Sequence, residues 1–243
     1  MKKHIPNAIT CCNLISGCIA IGFALNGHFE HALWAIVAGA VFDFFDGMSA
    51  RILGVSSPIG KELDSLADVV TFGVAPSLML FKVMGSLSVA QLMMILDDSY
   101  VALGLITIFL PYLALIMAAF SAIRLAKFNI DERQTTGFIG LPTPANALFW
   151  ASLIAGWGPK ISFTPITLPI LAVITLLCCY LLVSEIPMIA LKFKTWGWKG
   201  NEVKWVFIGS CLPLVIIFGI GAPAIIIVWY VILSIVTQRH TLT

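Results

Sequence analysis

Runs of roughly 20 apolar residues recur from one end of this chain to the other, and that recurrence limits the fold more than any other feature. Twenty residues of helix rise about 30 Å, the thickness of the hydrocarbon core of a bilayer. Composition agrees. Of 243 residues, 60% are hydrophobic and only 11% are charged, with a mean hydropathy of +1.01. A soluble domain carries about 25% charged residues, so this chain has too little polar surface to face water on all sides. The expectation is an all-α, polytopic membrane bundle of about eight transmembrane helices forming a single transmembrane domain over 1–243. The apolar runs place the helices near 6–26, 31–53, 63–84, 100–128, 142–157, 165–191, 204–220 and 222–238. Lys2 and Lys3 precede a run read as a span, not as a cleaved leader.

Lys and Arg give the orientation. With both termini cytoplasmic, one side receives Lys2, Lys3, Arg51, Lys61, Arg124, Lys127, Arg133, Lys192, Lys194, Lys199, Lys204 and Arg239. The other side receives Lys82 and Lys160, and the loop at 85–99 carries Asp97 and Asp98. That asymmetry follows the positive-inside rule, and Trp196, Trp198 and Trp205 fall in or beside the 192–204 basic stretch, as an interfacial aromatic belt would. The expected location is the cytoplasmic membrane, with the functional face toward the cytosol. Six cysteines all lie inside apolar runs without a C-x-x-C pair, which points to small buried hydrophobes and not to zinc or a disulfide framework.

The polar residues inside this apolar background carry the chemistry. Of seven aspartates, four lie between 43 and 68: Asp43, Asp46, Asp64 and Asp68. One aspartate at the centre of a membrane helix costs about 2.5–3.5 kcal/mol, so four uncompensated at depth approach ~10 kcal/mol. Asp43, Asp46, Gly47 and Ala50, at i, i+3, i+4 and i+7, share one helical face, and Asp64 and Asp68 share another. A short loop ending near Gly60 makes the two helices antiparallel neighbours, so the two faces converge near the cytoplasmic interface. Carboxylates in that number suit Mg²⁺ or Mn²⁺, as one ion or a pair, better than zinc. Gly47 and Ala50 leave a groove beside the helix backbone, and Arg51 at its mouth carries a guanidinium suited to phosphate oxygens.

Taken together these residues read Asp43-x2-Asp46-Gly47-x2-Ala50-Arg51-x8-Gly60-x3-Asp64-x3-Asp68. At every position this resembles the signature of the CDP-alcohol phosphatidyltransferase family. Pro6-Asn7, Thr10, Asn13-Leu14 and Gly17 look like the first helix of the serine-accepting branch of that family. Arg124, Lys127, Phe128 and Asn129, followed by Phe138-x-Gly140-Leu141-Pro142-Thr143-Pro144-Ala145, look like the same branch. The resemblance implies a six-helix family core over 1–191, with a basic loop and two further helices over 192–243. It implies transfer of the phosphatidyl group of CDP-diacylglycerol to the hydroxyl of L-serine, with release of CMP. It also implies a metal site at Asp43, Asp46, Asp64 and Asp68, probed by Mg²⁺ or Mn²⁺ and holding two ions, with Asp68 as general base. Asn7, Thr10, Asn13, Asp43, Gly47, Ala50, Arg51, Gly60 and Asp64 would contact the CDP-lipid, and a homodimer in the lipid bilayer is the expected assembly.

Serine brings a carboxylate, which a cation should receive. Arg124 and Lys127, at i and i+3, are the candidates, with Asn129 close by. Their bland role is to anchor a helix end at the interface. Asn7, Thr10 and Asn13 have a bland role as well, in hydrogen bonding between helices. Glu185 is placed in the sixth predicted helix with its role open, and Gly140–Pro144 reads as a loop leading into a helix. One alternative keeps the chemistry and changes the acceptor to glycerol 3-phosphate or an inositol phosphate. Another, from a different class, is a metal-ion or proton-coupled transporter, since acids within a membrane also mark ion pathways. P-loop and dinucleotide fingerprints are absent from the sequence, and no nucleic-acid partner is expected.

Overall fold

A computed structural model describes residues 4–55, 57–96, 106–131, 138–158, 164, 166–189, 197–198 and 201–239. Lys2, Lys3, Asp97, Asp98, Arg133, Lys160 and most of the 192–199 basic stretch, Trp196 included, lie outside the described residues, as does the predicted start of the fourth helix at 100. The described chain is helical almost throughout: α1 His4–Leu25, α2 Phe29–Leu53, α3 Pro58–Asp68, a π-helical turn Val69–Val74 and α4 Ala75–Leu96. A helical run over Ile106–Ile130 follows, tightened by a 3₁₀ turn at Leu110–Tyr112 and continuing as α5 Leu113–Ile130. Then come β1 Phe138–Ile139, α6 Thr143–Trp157, α7 Thr167–Val183, β2 Pro187–Met188, α8 Glu202–Phe218 and α9 Ala222–Arg239. Among the described residues, five helical runs are long and apolar enough to cross a membrane: His4–Leu25, Phe29–Leu53, Pro58–Met93, Ile106–Ile130 and Glu202–Thr237. The chain is an all-α, multi-pass membrane protein. Its outer surface is apolar, with Ile52, Met93, Leu212, Ile216 and Ile217 exposed, as side chains facing lipid tails should be.

Local chemistry sets the helix ends around the carboxylates. Gly54, in the left-handed region at φ 61°, ends α2, and its N–H reaches the carbonyls of Ala50 and Arg51. The Ser57 hydroxyl accepts the Gly60 N–H at 3.0 Å, and Pro58 occupies the first turn, where its missing N–H costs nothing. The third predicted helix therefore begins at Pro58, not at 63. It also runs to Leu96 in three consecutive segments, well past the predicted end at 84. Asp64 and Asp68 consequently lie in the second and third turns of α3 rather than opening it.

Small residues let the helices approach. A Cβ on Gly17 would stand 2.5 Å from Thr71 Oγ1 and 2.8 Å from Thr71 Cα, so α1 lies directly against the π turn. A Cβ on Gly39 would stand 2.5 Å from Thr71 Cγ2 and 3.0 Å from Asn13 Oδ1, so α2 closes on the same point. Thr71, fully buried, is the pivot of α1, α2 and the π turn, and its hydroxyl donates to the Asn13 carbonyl at 3.0 Å. The apolar core, with Ile36, Phe72, Met79, Leu80, Met117 and Trp150 fully or almost fully buried, continues from there among α2, α4, α5, α6 and α7.

The sixth predicted helix is corrected. α7 stops at Val183, not at 191, so Glu185 lies beyond the helix in the segment leading to β2. The cause is the chain that precedes α6. The Leu141 N–H donates to the Leu181 carbonyl at 2.9 Å and the Gly140 N–H to the Ile186 carbonyl at 2.8 Å. β1 pairs antiparallel with β2, Phe138 opposite Met188 and Ile139 opposite Pro187. Gly140 has φ 75°, and a Cβ there would stand 2.8 Å from the Ser184 carbonyl oxygen, so both conformation and space require glycine.

Candidate active site

A cleft of ≈ 270 Å³ opens among α1, the end of α2 and the start of α3; Asn7, Thr10, Asp46, Gly47, Ala50, Gly60, Lys61 and Asp64 are among its lining residues. Gly47 has open space where a Cβ would be, so its backbone faces the cleft unshielded. The Thr10 hydroxyl donates to Asp46 Oδ2 at 2.6 Å and lies 3.1 Å from the Pro6 carbonyl. A Cβ on Gly60 would stand 3.1 Å from Asn7 Oδ1, so the missing side chain admits Asn7 to the first turn of α3. α1 therefore supplies one polar wall of the cleft, and the two acid-bearing helices supply the other.

Three of the four aspartates form a tighter group. Asp43, Asp64 and Asp68 each direct a carboxylate oxygen so that all three lie within 4.8 Å of one another. Asn13 Nδ2 donates to Asp68 Oδ1 at 3.0 Å, and Asp68 is buried. Asp64 Oδ1 and Asn13 Oδ1 are buried with no hydrogen-bond partner. Carboxylates this close repel one another unless a cation or a shared proton lies between them, and the unpaired Asp64 Oδ1 has lone pairs that a cation could use. The donor set is all oxygen, which fits a hard divalent cation. Asp46 stands outside this trio, engaged with Thr10.

A second cleft, of ≈ 310 Å³, lies between the end of α5 and the segment after α7. Arg124, Lys127, Asp131, Ile139, Ser184 and Glu185 are among its lining residues. Arg124 is buried, with its guanidinium carbon 5.4 Å from the centre of the Phe128 ring. The register of α5 against α3 and the π turn places these cations at the height of Asp68. Near one end of the shared stretch a Cβ on Gly73 would stand 3.1 Å from Ser121 Cβ; near the other, Asn129 Nδ2 donates to Ser65 Oγ at 2.7 Å. Arg124 and Lys127 fall between these contacts on α5, as Asp68 does between Ser65 and Gly73.

Set against the sequence expectations, Asn7, Thr10, Asp46, Gly47, Ala50, Gly60 and Asp64 share the first cleft, Asp43 belongs to the trio and Asn13 donates to it through Asp68. Arg51 is exposed, its Nε donating to the Gly47 carbonyl at 3.0 Å, and the basic residue among the cleft's lining is Lys61 instead. Lys61 Nζ donates to the Asn129 carbonyl at 2.8 Å, so Asn129 belongs to the α3–α5 contact and is not part of the lining of the second cleft. Sequence reasoning missed Lys61, Ser57, Thr71 and Asp131. Ser57-Pro58 was available as a helix-start signal, whereas nothing in the local pattern reveals a π turn. The buried polar atoms Ser121 Oγ and both amide atoms of Asn146, none with a hydrogen-bond partner, were likewise not singled out, and Thr143, quoted only as part of a motif, has a buried Oγ1 in the same state.

Comparisons with known proteins place the chain in a family. The family model for CDP-alcohol phosphatidyltransferase matches residues 3–238, and the chain belongs to that family. A Bacillus subtilis relative, CDP-diacylglycerol–serine O-phosphatidyltransferase, is 36% identical over 188 residues, covering 76% of this chain and 89% of that protein. A relative of the same name in Methanocaldococcus jannaschii is 38% identical over 144 residues, covering 59% of this chain and 57% of its own length. One from Helicobacter pylori is 35% identical over 145 residues, covering 59% of this chain and 54% of its own length.

Proposed function

We propose that this chain is a phosphatidylserine-forming transferase, moving the phosphatidyl group of CDP-diacylglycerol to the hydroxyl of L-serine and releasing CMP. The observation that carries this reading is the Asp43–Asp64–Asp68 trio beside a polar cleft in an otherwise apolar bundle, within a signature of the family to which the chain belongs. The relatives named above act on CDP-diacylglycerol and serine, and membrane enzymes of this kind have a natural reason to keep an acidic cluster near one end of the bundle. The acyl tails stay in the bilayer while the nucleotide head reaches the polar cleft.

The donor's nucleotide head lies in the α1–α2–α3 cleft, against Asn7, Thr10 and Asn13 on one side and Asp43, Gly47, Ala50, Gly60 and Asp64 on the other. Arg51 meets phosphate oxygens at its mouth. Asp43, Asp46, Asp64 and Asp68 would hold Mg²⁺ or Mn²⁺, two ions per site, and such ions would supply positive charge to offset the pyrophosphate and the charge that builds on CMP. Asp68 takes the proton from the serine hydroxyl, with the Asn13 amide holding one of its carboxylate oxygens and leaving the other for the acceptor. The serine oxygen forms a bond to the lipid-side phosphorus as the bond from that phosphorus to the oxygen of CMP breaks. Arg124 and Lys127 receive the serine carboxylate, with Asn129 fixing the neighbouring helix contact.

The helices cross the cytoplasmic membrane eight times, with both termini and the carboxylate end on the cytosolic side, and two chains associate as a homodimer. A panel of isotopically labelled acceptors, with the lipid product identified by mass spectrometry, tests the assignment. Labelled serine should appear in the lipid. Label from glycerol 3-phosphate or an inositol phosphate in its place would keep the family and overturn the acceptor.

A further inference from the structure

The second cleft is not simply basic. Arg124 and Lys127 face it together with two carboxylates, Asp131 and Glu185, and these come from different elements. Asp131 ends α5, its N–H donating to the Lys127 carbonyl at 3.0 Å, and it sits in the electrostatic field of Arg124 on the same helix. Glu185 arrives from the opposite wall, after α7. A cleft built to hold a dianionic phosphate gains nothing from an acid on the wall facing its cations, because that acid repels the ligand. A cleft that holds a zwitterion does gain, since a carboxylate and an ammonium need poles of opposite sign on opposite sides.

The backbone around Glu185 is also fixed in advance. On one side the Ser184 hydroxyl donates to the Leu181 carbonyl at 3.0 Å. On the other, the Ile186 carbonyl accepts the Gly140 N–H at 2.8 Å, and Pro187 and Met188 pair with Ile139 and Phe138. Residues 184 and 186 are both tied, so residue 185 is presented to the cleft from a braced segment. The glycine at 140 is what allows the bracing, because a Cβ there would stand 2.8 Å from the Ser184 carbonyl oxygen.

We infer that Glu185 is the specificity-determining residue for the acceptor's amino group: it receives the ammonium of an α-amino acid whose carboxylate lies on Arg124 and Lys127. The inference rests on the serine-transferase reading and deepens it, since it predicts that a free amino acid is preferred to a phosphorylated alcohol. The test is steady-state CMP release by the full chain in detergent, at saturating CDP-diacylglycerol, for wild type, Glu185→Gln and Glu185→Asp. Two acceptors are varied, L-serine and 3-hydroxypropionate, which keeps the hydroxyl and carboxylate and lacks the amine.

Loss of a charged hydrogen bond should raise the KM for serine about tenfold or more in Glu185→Gln. The KM for CDP-diacylglycerol should stay within about twofold, which also reports that the variant is folded, and Glu185→Asp should lie between the two. The preference for serine over 3-hydroxypropionate should collapse in Glu185→Gln, because only serine loses a partner. A serine KM within about twofold of wild type, or an equal loss for both acceptors, overturns the inference while leaving the transferase reading intact. Wild type that releases CMP only with a phosphorylated alcohol, or with no acceptor, overturns that reading and this inference with it.

Discussion

The two clefts are built in opposite ways. The carboxylate cleft uses helix faces: its acids repeat at three- and four-residue intervals along α2 and α3, and α1 closes it with Thr10 and Asn13. The mixed-charge cleft uses helix ends: the last turn of α5, the residues beyond α7, and a two-residue strand pair that holds them. A helix face is rigid and presents fixed spacings, which suits a site that must hold several like charges together. A pair of helix ends is assembled from separate segments, which suits a site that varies with the substrate.

The largest effect should come from withdrawing the divalent cation that the carboxylate trio is suited to hold. Chelation with EDTA should abolish CMP release, and Mg²⁺ or Mn²⁺ should restore it, because three carboxylates within 4.8 Å cannot bind a pyrophosphate unaided. Activity that survives chelation would remove the main distinction between the two clefts. Next, Asp68→Asn should lower turnover by about 10³-fold while retaining CDP-lipid binding, measured by binding of labelled CDP-diacylglycerol. Substantial residual turnover would contradict the assignment of Asp68 as base.

Gly17→Ala should lower kcat/KM by about 10²-fold and reduce the melting temperature in detergent, since misplacement on the scale of an ångström is enough. The new methyl group would fall 2.5 Å from Thr71 Oγ1 and push α1 away from the π turn, carrying Asn13 off Asp68. Lys127→Gln should raise the KM for serine about tenfold and leave that for CDP-diacylglycerol unchanged, and equal shifts in both would merge the clefts into one. The smallest effect is expected of Thr10→Val, a loss of one hydrogen bond to Asp46 that should raise the KM for CDP-diacylglycerol only several-fold.

The carboxylate cleft was legible in the sequence because helical periodicity is local. Asp43, Asp46, Gly47 and Ala50 announce one face, and a bilayer makes any acid conspicuous. The split of the four aspartates into a trio and a Thr10-bound Asp46 was not legible, since it depends on a hydrogen bond between residues 36 positions apart. The mixed-charge cleft was half legible. Arg124 and Lys127 stand out at one helix end, but Glu185 was read as helical because apolar residues continue past Val183. The end of α7 is decided by Gly140 and Leu141, some 40 residues upstream, whose N–H groups capture its last carbonyls and the turn beyond. The π turn at Val69–Val74 has no local signature either; it arises where Gly17 and Gly39 let two neighbouring helices press on Thr71.

One measurement tests the joint use of the two clefts most directly: CMP release by the purified chain in detergent, with CDP-diacylglycerol and Mn²⁺, in the presence and absence of L-serine. CMP should appear only when serine is added, in equal amount to phosphatidylserine. CMP released at the same rate without serine would mean that water reacts at the carboxylate cleft and that the mixed-charge cleft has no part in the reaction.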